Sequence, residues 1–344
     1  MSGKTMVEAL NRALEEEMER DEDVVLMGED VGEDGGVFRV TDGLDDQFNE
    51  DWDDPSERLE HERVIDTPLD EAGIVGTALG MSLYGDRPVT EIQFSGFMLP
   101  AMNQLIGHVA RYRNRTRGKY EPSMVVRAPY GGGIEAPEHH SESDETLYAH
   151  TPGLKVAVPS TPEDAYGMMK EAVRDDDPVV FLEPKKIYRS AREELPDPDE
   201  DYTVGLGEAD VKKEGDDVTV VSWGATLQDT LEAVDELEDD DIYAEVVDLR
   251  SISPIDFETI EESYKKTGKL VVAHEAPQTC GVGAEISSRI TEDDHDLLYL
   301  EAPIKRVTGY DTTMPLYENE DEYLPDSDDI AEAIREVDEY GFEG

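Results

Sequence analysis

Three short stretches combine residue types that could do chemistry. The first is Tyr130-Gly131-Gly132-Gly133-Ile134, leading into Pro137-Glu138-His139-His140-Ser141. A glycine-rich segment followed by a tandem histidine suits an active-site loop with a proton carrier. A metal site competes with this reading, but adjacent histidines have poor helical ligand spacing and no obvious third ligand stands nearby. The second stretch is Thr67-Pro68-Leu69-Asp70-Glu71-Ala72-Gly73. It reads as a helix start, with Thr67 as cap, Pro68 at the first helical position and acids in the first turn. On residue type alone Glu71 is a capping acid. Gly73, Gly76 and Gly80 would let another backbone or a ligand approach the following helix closely. The third stretch, Phe94-Ser95-Gly96-Phe97, follows an apolar segment, and an aromatic at a strand end either packs in the core or stacks on a planar ring. Cys280-Gly281-Val282-Gly283-Ala284 lacks the third glycine of a dinucleotide turn and lies too far from the preceding strand. No Walker-type sequence and no Gly-x-Ser-x-Gly elbow occurs.

The elements that must position these residues follow from apolar periodicity. Val24–Met27, Val89–Phe94, Met124–Ala128, Lys155–Val158 and Val179–Leu182 read as buried strands. Thr5–Arg20 and Thr161–Arg174 between them read as amphipathic helices, the latter capped by Thr161 ahead of Pro162. Ala191–Gly207, rich in proline and acid, is a linker by composition. Beyond it, Val218–Ser222, Ala244–Leu249, Leu270–His274 and Leu297–Leu300 read as strands. They alternate with helices at Leu227–Leu237, Phe257–Lys265, Gly283–Ile290 and Ile330–Val337. This pattern predicts an α/β chain of two domains with mainly parallel sheets flanked by helices: residues 1–190, a linker at 191–207, and residues 208–344.

The chain has 344 residues, with 85 acidic and 30 basic side chains and a net charge of −55. A field this negative repels phosphate and excludes nucleic acid as a natural partner. No apolar run approaches the roughly 20 residues of a membrane helix, and residues 1–20 lack the apolar segment of a secretory signal. With Cys280 as its one cysteine the chain makes no internal disulfide, and a cytoplasmic location is expected. The acids are scattered between apolar blocks, as in Asp21–Asp23, Asp175–Asp177 and Asp326–Asp329. Scattered acidic loops with scarce lysine resemble the proteins of salt-loving microbes.

As a whole the sequence resembles the beta subunit of the decarboxylating (first) component of 2-oxo acid dehydrogenase complexes. The matching phrases are Gly28-Glu29-Asp30-Val31-Gly32, Gly35-Gly36-Val37-Phe38-Arg39, Asp66-Thr67-Pro68-Leu69 through Glu71, and Glu91-Ile92-Gln93-Phe94. His140-Ser141, Pro152-Gly153-Leu154-Lys155-Val156 and Ala244-Glu245-Val246-Val247-Asp248-Leu249-Arg250 continue the match, which runs from about Thr5 to Val337. The resemblance implies a transketolase-like fold whose first domain holds the aminopyrimidine of thiamine diphosphate and whose second is of the transketolase C-terminal type.

By the same resemblance Glu71 hydrogen-bonds the pyrimidine nitrogen N1′, Phe97 stacks on that ring and Gln93 lies in the same pocket. His140 assists proton movements in decarboxylation or acyl transfer to lipoamide, and Glu29 lies in a channel linking two cofactor sites. A potassium ion is implied at Met124, Ala172, Val173, Asp175 and Asp177. The implied partners are an alpha subunit in an α2β2 heterotetramer, which holds the diphosphate and its magnesium, and a lipoyl acyltransferase. The lack of Gly-Asp-Gly in this chain suits that division. Gly28–Arg39 and Phe97 resemble pyruvate-using members. His274-Glu275-Ala276-Pro277, Glu301-Ala302-Pro303 and Gly309-Tyr310-Asp311-Thr312 resemble branched-chain members, and acetoin dehydrogenase beta subunits share the pattern. A catalytically idle scaffold subunit is the alternative from another class. Intact Glu71, Phe97 and His140 count against it.

The charge carries its own test. Helical circular dichroism should fall as potassium chloride is lowered from molar strength to about 0.1 M, because the Debye length lengthens from about 3 Å to about 10 Å and unmasks self-repulsion. An unchanged spectrum and melting temperature would contradict the salt-adapted reading.

Overall fold

Short β-branched segments between amphipathic helices build two sheets, each a parallel core with one antiparallel edge strand. The computed structural model describes residues 3–49, 61–292 and 296–341. The first sheet contains β1 (Val24–Gly28), β2 (Val64–Asp66), β3 (Arg87–Glu91), β4 (Val125–Tyr130), β5 (Lys155–Ala157) and β6 (Val179–Pro184). The second contains β7 (Asp210–Lys213), β8 (Val218–Ser222), β9 (Ala244–Asp248), β11 (Leu270–Pro277) and β12 (Lys305–Gly309), in the order β12-β11-β8-β9-β7. One strand of the C-terminal half, β10 (Ser251–Ser253), crosses over and pairs antiparallel with β5, so the first sheet runs β10-β5-β6-β4-β3-β1-β2. β1, β4 and β6 are buried along their whole length, as parallel strands covered on both faces must be.

Local chemistry fixes the helices on the sheets. Helix α1 (Met6–Arg20) opens with a capping box: Glu8 N–H donates to Thr5 Oγ1 at 3.3 Å, and Thr5 N–H donates to Glu8 Oε2 at 2.8 Å. Met6, Leu10, Ala13, Leu14 and Met18 are buried in one core cluster with Ala165, Met168, Met169 and Ala172 of a later helix, Pro162–Arg174. Thr161 caps that helix, accepting from Asp164 N–H at 3.1 Å.

Three expectations are corrected. The helix after β2 starts at Glu71, not at Pro68, and its cap is Asp70, whose Oδ1 accepts from Gly73 N–H at 3.1 Å. Thr67 N–H is still engaged with the Gly28 carbonyl at 2.8 Å, so the chain is held to the sheet there and is not yet free to turn into helix. The strand expected at Val89–Phe94 ends at Glu91, and Ser95–Ala101 winds as a 3₁₀ helix. The strand expected at Leu297–Leu300 is a 3₁₀ turn over Asp296–Tyr299, with Leu298 81% exposed. The real edge strand, β12, is charged and half-buried, which hides it from an apolar pattern.

A buried ion cluster ties the middle of the first sheet together. On β4 Arg127 donates through Nε and Nη2 to Glu183 on β6 at 2.6 and 2.8 Å, and through Nη1 to Glu91 on β3. Tyr188 Oη donates to the same Glu183 at 2.5 Å. Burial opposes the charge on Arg127, but Glu183 and Glu91 outweigh it and raise its pKa; burial raises that of Glu91. Removing the cation strands two carboxylates in the interior. Arg127→Met should therefore lower the unfolding free energy by about 3–5 kcal/mol in denaturant titrations at constant high salt.

Candidate active site

Strand order decides where a ligand can sit. β1 lies between β2 and β3, so the chain leaves it first to one side and then crosses to the other. That reversal opens a crevice beyond the carboxyl ends of the strands. Gly28, Asp66 and Glu91 stand level across β1, β2 and β3. Glu29 follows the first, the helix beginning at Glu71 follows the second, and Gln93 and Phe97 follow the third. The segment after β1 is tied to the end of β2, since Gly32 and Glu33 N–H donate to the Asp66 carboxylate at 2.7 and 3.2 Å.

The carboxylate of Glu71 is half-buried in the first turn of its helix, with no hydrogen bond or ion pair from a described residue. Glu29 lies within its electrostatic reach. Burial, then the charges of Asp30 and Glu71, raise the Glu29 carboxyl above its ordinary pKa. Gln93 is half-buried in the same turn of chain as the aromatic group. Phe94 is buried and Phe97 half-buried, their centroids 5.7 Å apart and edge to face. Phe97 thus keeps ring surface free for a planar ligand.

His140 completes the group from the loop after β4. Its ring lies 4.4 Å from Phe94 and 5.0 Å from Phe97, centroid to centroid. Nδ1 donates to the Glu138 carbonyl at 2.9 Å; because a carbonyl only accepts, the neutral ring keeps Nε2 as its open basic nitrogen. The loop comes this close because residue 96 is glycine: a Cβ there would collide with the His139 carbonyl oxygen. Ser95 Oγ and Gly131 N–H both donate to the Glu142 carbonyl, at 3.1 and 2.8 Å.

The residues implied for potassium lie at the opposite, amino ends of the strands, at the start of β4 and the end of helix Pro162–Arg174, roughly 20 Å away along the six-residue β4. The Met124 carbonyl accepts from Val179 N–H at 3.0 Å. Arg87 Nη1 donates to the carbonyls of Val173 and Asp175 at 3.1 and 3.3 Å. Ala172 sits in the last helical turn, where carbonyls lack intrahelical partners. The Asp175 carboxylate meets Lys155, and that of Asp177 meets Arg113 at 3.1 Å. Each carbonyl has a second lone pair, so the oxygens fit a bound cation, with three fixed cations competing for the same negative charge.

Sequence reading passed over the residues behind the loop. Lys185, buried at the end of β6, donates to the Gly131 carbonyl, and burial lowers its pKa to about 8. Glu275 of β11 accepts from Gly132 N–H at 3.3 Å and from Ser143 Oγ. Glu145 is fully buried, and Trp223 stands close enough to its carboxylate to help hold it. In an acid-rich sequence none of these stands out by type. Only the folded arrangement singles them out, with Glu275 reaching Gly132 and Ser143 from the other half of the chain.

These geometries can be set beside known proteins. The family described as "Transketolase, pyrimidine binding domain" matches residues 2–191, and "Transketolase, C-terminal domain" matches residues 207–330. A solved structure titled "Split gene transketolase, inactive beta4 tetramer" superposes with a TM-score of 0.77 at 24% identity, covering 98% of each chain, and so shares the fold. The class is therefore a transketolase-type chain with a pyrimidine-binding and a C-terminal domain. Named relatives narrow it further. "Pyruvate dehydrogenase E1 component subunit beta" of Bacillus subtilis is 47% identical over 340 residues, 99% of this chain and 100% of that one. The same-named subunit of Staphylococcus epidermidis is 46% identical, over 97% and 98% of the two chains. The chain belongs to this family of E1 beta subunits. It is one subunit of a heteromeric, thiamine-diphosphate-dependent 2-oxo acid dehydrogenase. No described helix is long and apolar enough to cross a membrane.

Glu145 gives a pH test of the junction behind the loop. Burial chiefly, with Glu275 and Asp144 adding, raises its pKa from 4.5 to about 8. Between those values the folded state holds a proton that the unfolded state releases. Its contribution is thus full at the acid end and is lost as pH rises toward 8, by up to about 1.4 kcal/mol per pH unit. Glu145→Gln should flatten that decline, so that denaturant titrations from pH 5 to pH 8 show the variant gaining on the wild type.

Proposed function

We propose that this chain, with an alpha subunit in an α2β2 heterotetramer, carries out the oxidative decarboxylation of pyruvate and the reductive acylation of the lipoyl group of an acyltransferase component. What supports this reading is that Glu29 and Glu71 lie within electrostatic reach of each other at the strand reversal, and that Phe97 and His140 pack together beyond the ends of β3 and β4. The names of the 45–47% identical relatives favour pyruvate over a branched-chain 2-oxo acid or acetoin. A cytoplasmic, salt-adapted setting suits the charge of −55.

The residues proposed for the first domain, 1–190, fit the aminopyrimidine half of thiamine diphosphate, with 191–207 as linker and 208–344 as the second domain. When bound, the cofactor supplies the nucleophilic carbon and the electron sink for decarboxylation. Glu71 holds a proton at N1′ of the aminopyrimidine, a task for which a carboxylate without a partner among the described residues is suited. Phe97 fixes the ring plane by stacking, and Gln93 offers an amide in the same pocket. Glu29, with its raised pKa, is suited to passing protons near Glu71. His140 presents Nε2 for proton transfer. The diphosphate and magnesium fall to the alpha subunit, because this chain has no Gly-Asp-Gly. Leu69 and Leu99, 68% and 54% exposed beside Glu71 and Phe97, suit a rim that a partner covers. A potassium ion is proposed at Met124, Ala172, Val173, Asp175 and Asp177, bracing the far end of the sheet.

Glu71→Gln tests the reading. The amide is nearly isosteric, so fold, assembly and most cofactor affinity should persist. C2 deprotonation of the bound cofactor, followed by proton exchange in NMR, and 2-oxo acid decarboxylation should each slow by about 10²–10³-fold, since one preorganised electrostatic partner is lost. A residue that only caps its helix would instead cost about 1 kcal/mol of stability at near-normal turnover. Wild-type exchange in an assembled, cofactor-loaded variant would refute the assignment.

A further inference from the structure

The loop that carries His140 is held from the other half of the chain. Glu320 closes a 3₁₀ turn, Tyr317–Glu320, and is fully buried. Its Oε2 accepts from the N–H groups of Gly133, Ile134 and Glu135 at 2.8, 3.3 and 3.2 Å. Its Oε1 accepts from Ala136 N–H at 3.1 Å and from Ser141 Oγ. One carboxylate thus gathers four successive backbone donors and a hydroxyl.

That arrangement demands an unusual backbone. Gly133 and Glu135 both adopt positive φ, 90° and 51°, so successive N–H groups turn toward one point and form an anion-binding concavity. Hydrogen bonds to a carboxylate are about twice as strong as neutral ones, and the accepting carboxylate is buried here, although Gly133, Ile134 and Glu135 themselves lie at the surface. Ser141 is the neighbour of His140, so the clamp ends one residue from the ring that faces Phe94 and Phe97. Between the loop and residues 313–316, just before the anchor, lies a cleft of about 360 Å³ that reaches Pro137–His139.

We propose that Glu320 is a positioning residue for His140: it sets the loop's conformation and hence the place of Nε2 over the crevice. This rests on the function proposed above, and the test separates the two. The complex of this chain with its alpha subunit is made as wild type, Glu320→Gln, His140→Ala and the double variant. Hydrogen exchange reads the amides of residues 133–136, and 2-oxo acid decarboxylation and lipoyl acylation are read as kcat and KM. Glu320→Gln should speed exchange at those four amides by at least about 10-fold relative to the rest of the first domain. It should lower kcat by roughly 10²-fold with little change in KM, as expected when a catalytic group is misplaced by about 1 Å.

In the His140→Ala background the same substitution should cost almost nothing further. If Glu320→Gln impairs assembly, Ser141→Ala removes one of the five bonds and should give a smaller kcat loss that also vanishes without His140. Unchanged amide protection, or an equal kcat loss with and without His140, would overturn the proposal. A wild-type complex without 2-oxo acid decarboxylation would refute the functional reading, while the exchange result would still decide whether Glu320 holds the loop.

Discussion

The ion cluster of Arg127 with Glu91 and Glu183 is the constraint on which the rest of the first half depends. It joins the three neighbouring strands β3, β4 and β6, whose carboxyl ends lead directly into Gln93–Phe97, the His140 loop and Lys185. Parallel strands send all their carboxyl ends the same way, so fixing their relative height fixes the level at which those side chains emerge. Such a cluster is a costly way to gain stability, because each ion surrenders its hydration. Its effect is geometric. A bidentate guanidinium on β4 accepts little sliding of β6 without breaking two bonds at once.

The same chain uses carboxylates in two opposite ways. Most of the described acids are exposed or half-buried between apolar blocks. A few are turned inward, where each serves as an acceptor hub. Glu275 and Glu320 from the C-terminal half both receive backbone N–H groups of the glycine-rich segment, at Gly132 and at Gly133–Ala136. Glycine at 131 is required for this contact: its φ is +79°, and a Cβ would run into the Glu275 carboxylate. The two halves are therefore joined at the site itself as well as through β10, which lends an edge to the first sheet. Ser160 Oγ adds a further link, donating to Asp248 at 2.7 Å and accepting from Gly224 N–H at 2.8 Å.

The crevice is built on one side only. Glu71, Phe97 and His140 are the residues proposed to line it from this chain, while Leu69 and Leu99 stand exposed nearby. A carboxylate left without a partner among the described residues and an aromatic left half-covered are both expensive in a finished interior and natural in a half-site. This matches a family in which catalysis belongs to an assembly of unlike subunits.

The amino-acid pattern by itself determined the α/β class, the parallel sheets and most helix positions. Apolar spacing and caps such as Thr5 and Thr161 act within a few residues. Glu71, Phe97 and His140 were proposed through a resemblance carried by ordered phrases rather than by their residue types. The pattern misplaced the start of the helix at Pro68, because the competing hydrogen bond from Thr67 to Gly28 reaches across 39 positions to another strand. It passed over β10 and β12, which are short or charged edge strands stabilised by neighbours rather than by their own apolar content. Glu320 and Lys185, and the tertiary role of Glu275, were invisible for the same reason. Each is an ordinary charged residue until folding brings its donors or acceptors from more than fifty positions away, and only the tertiary structure decides which of 85 acids meets a row of backbone N–H groups and which meets water.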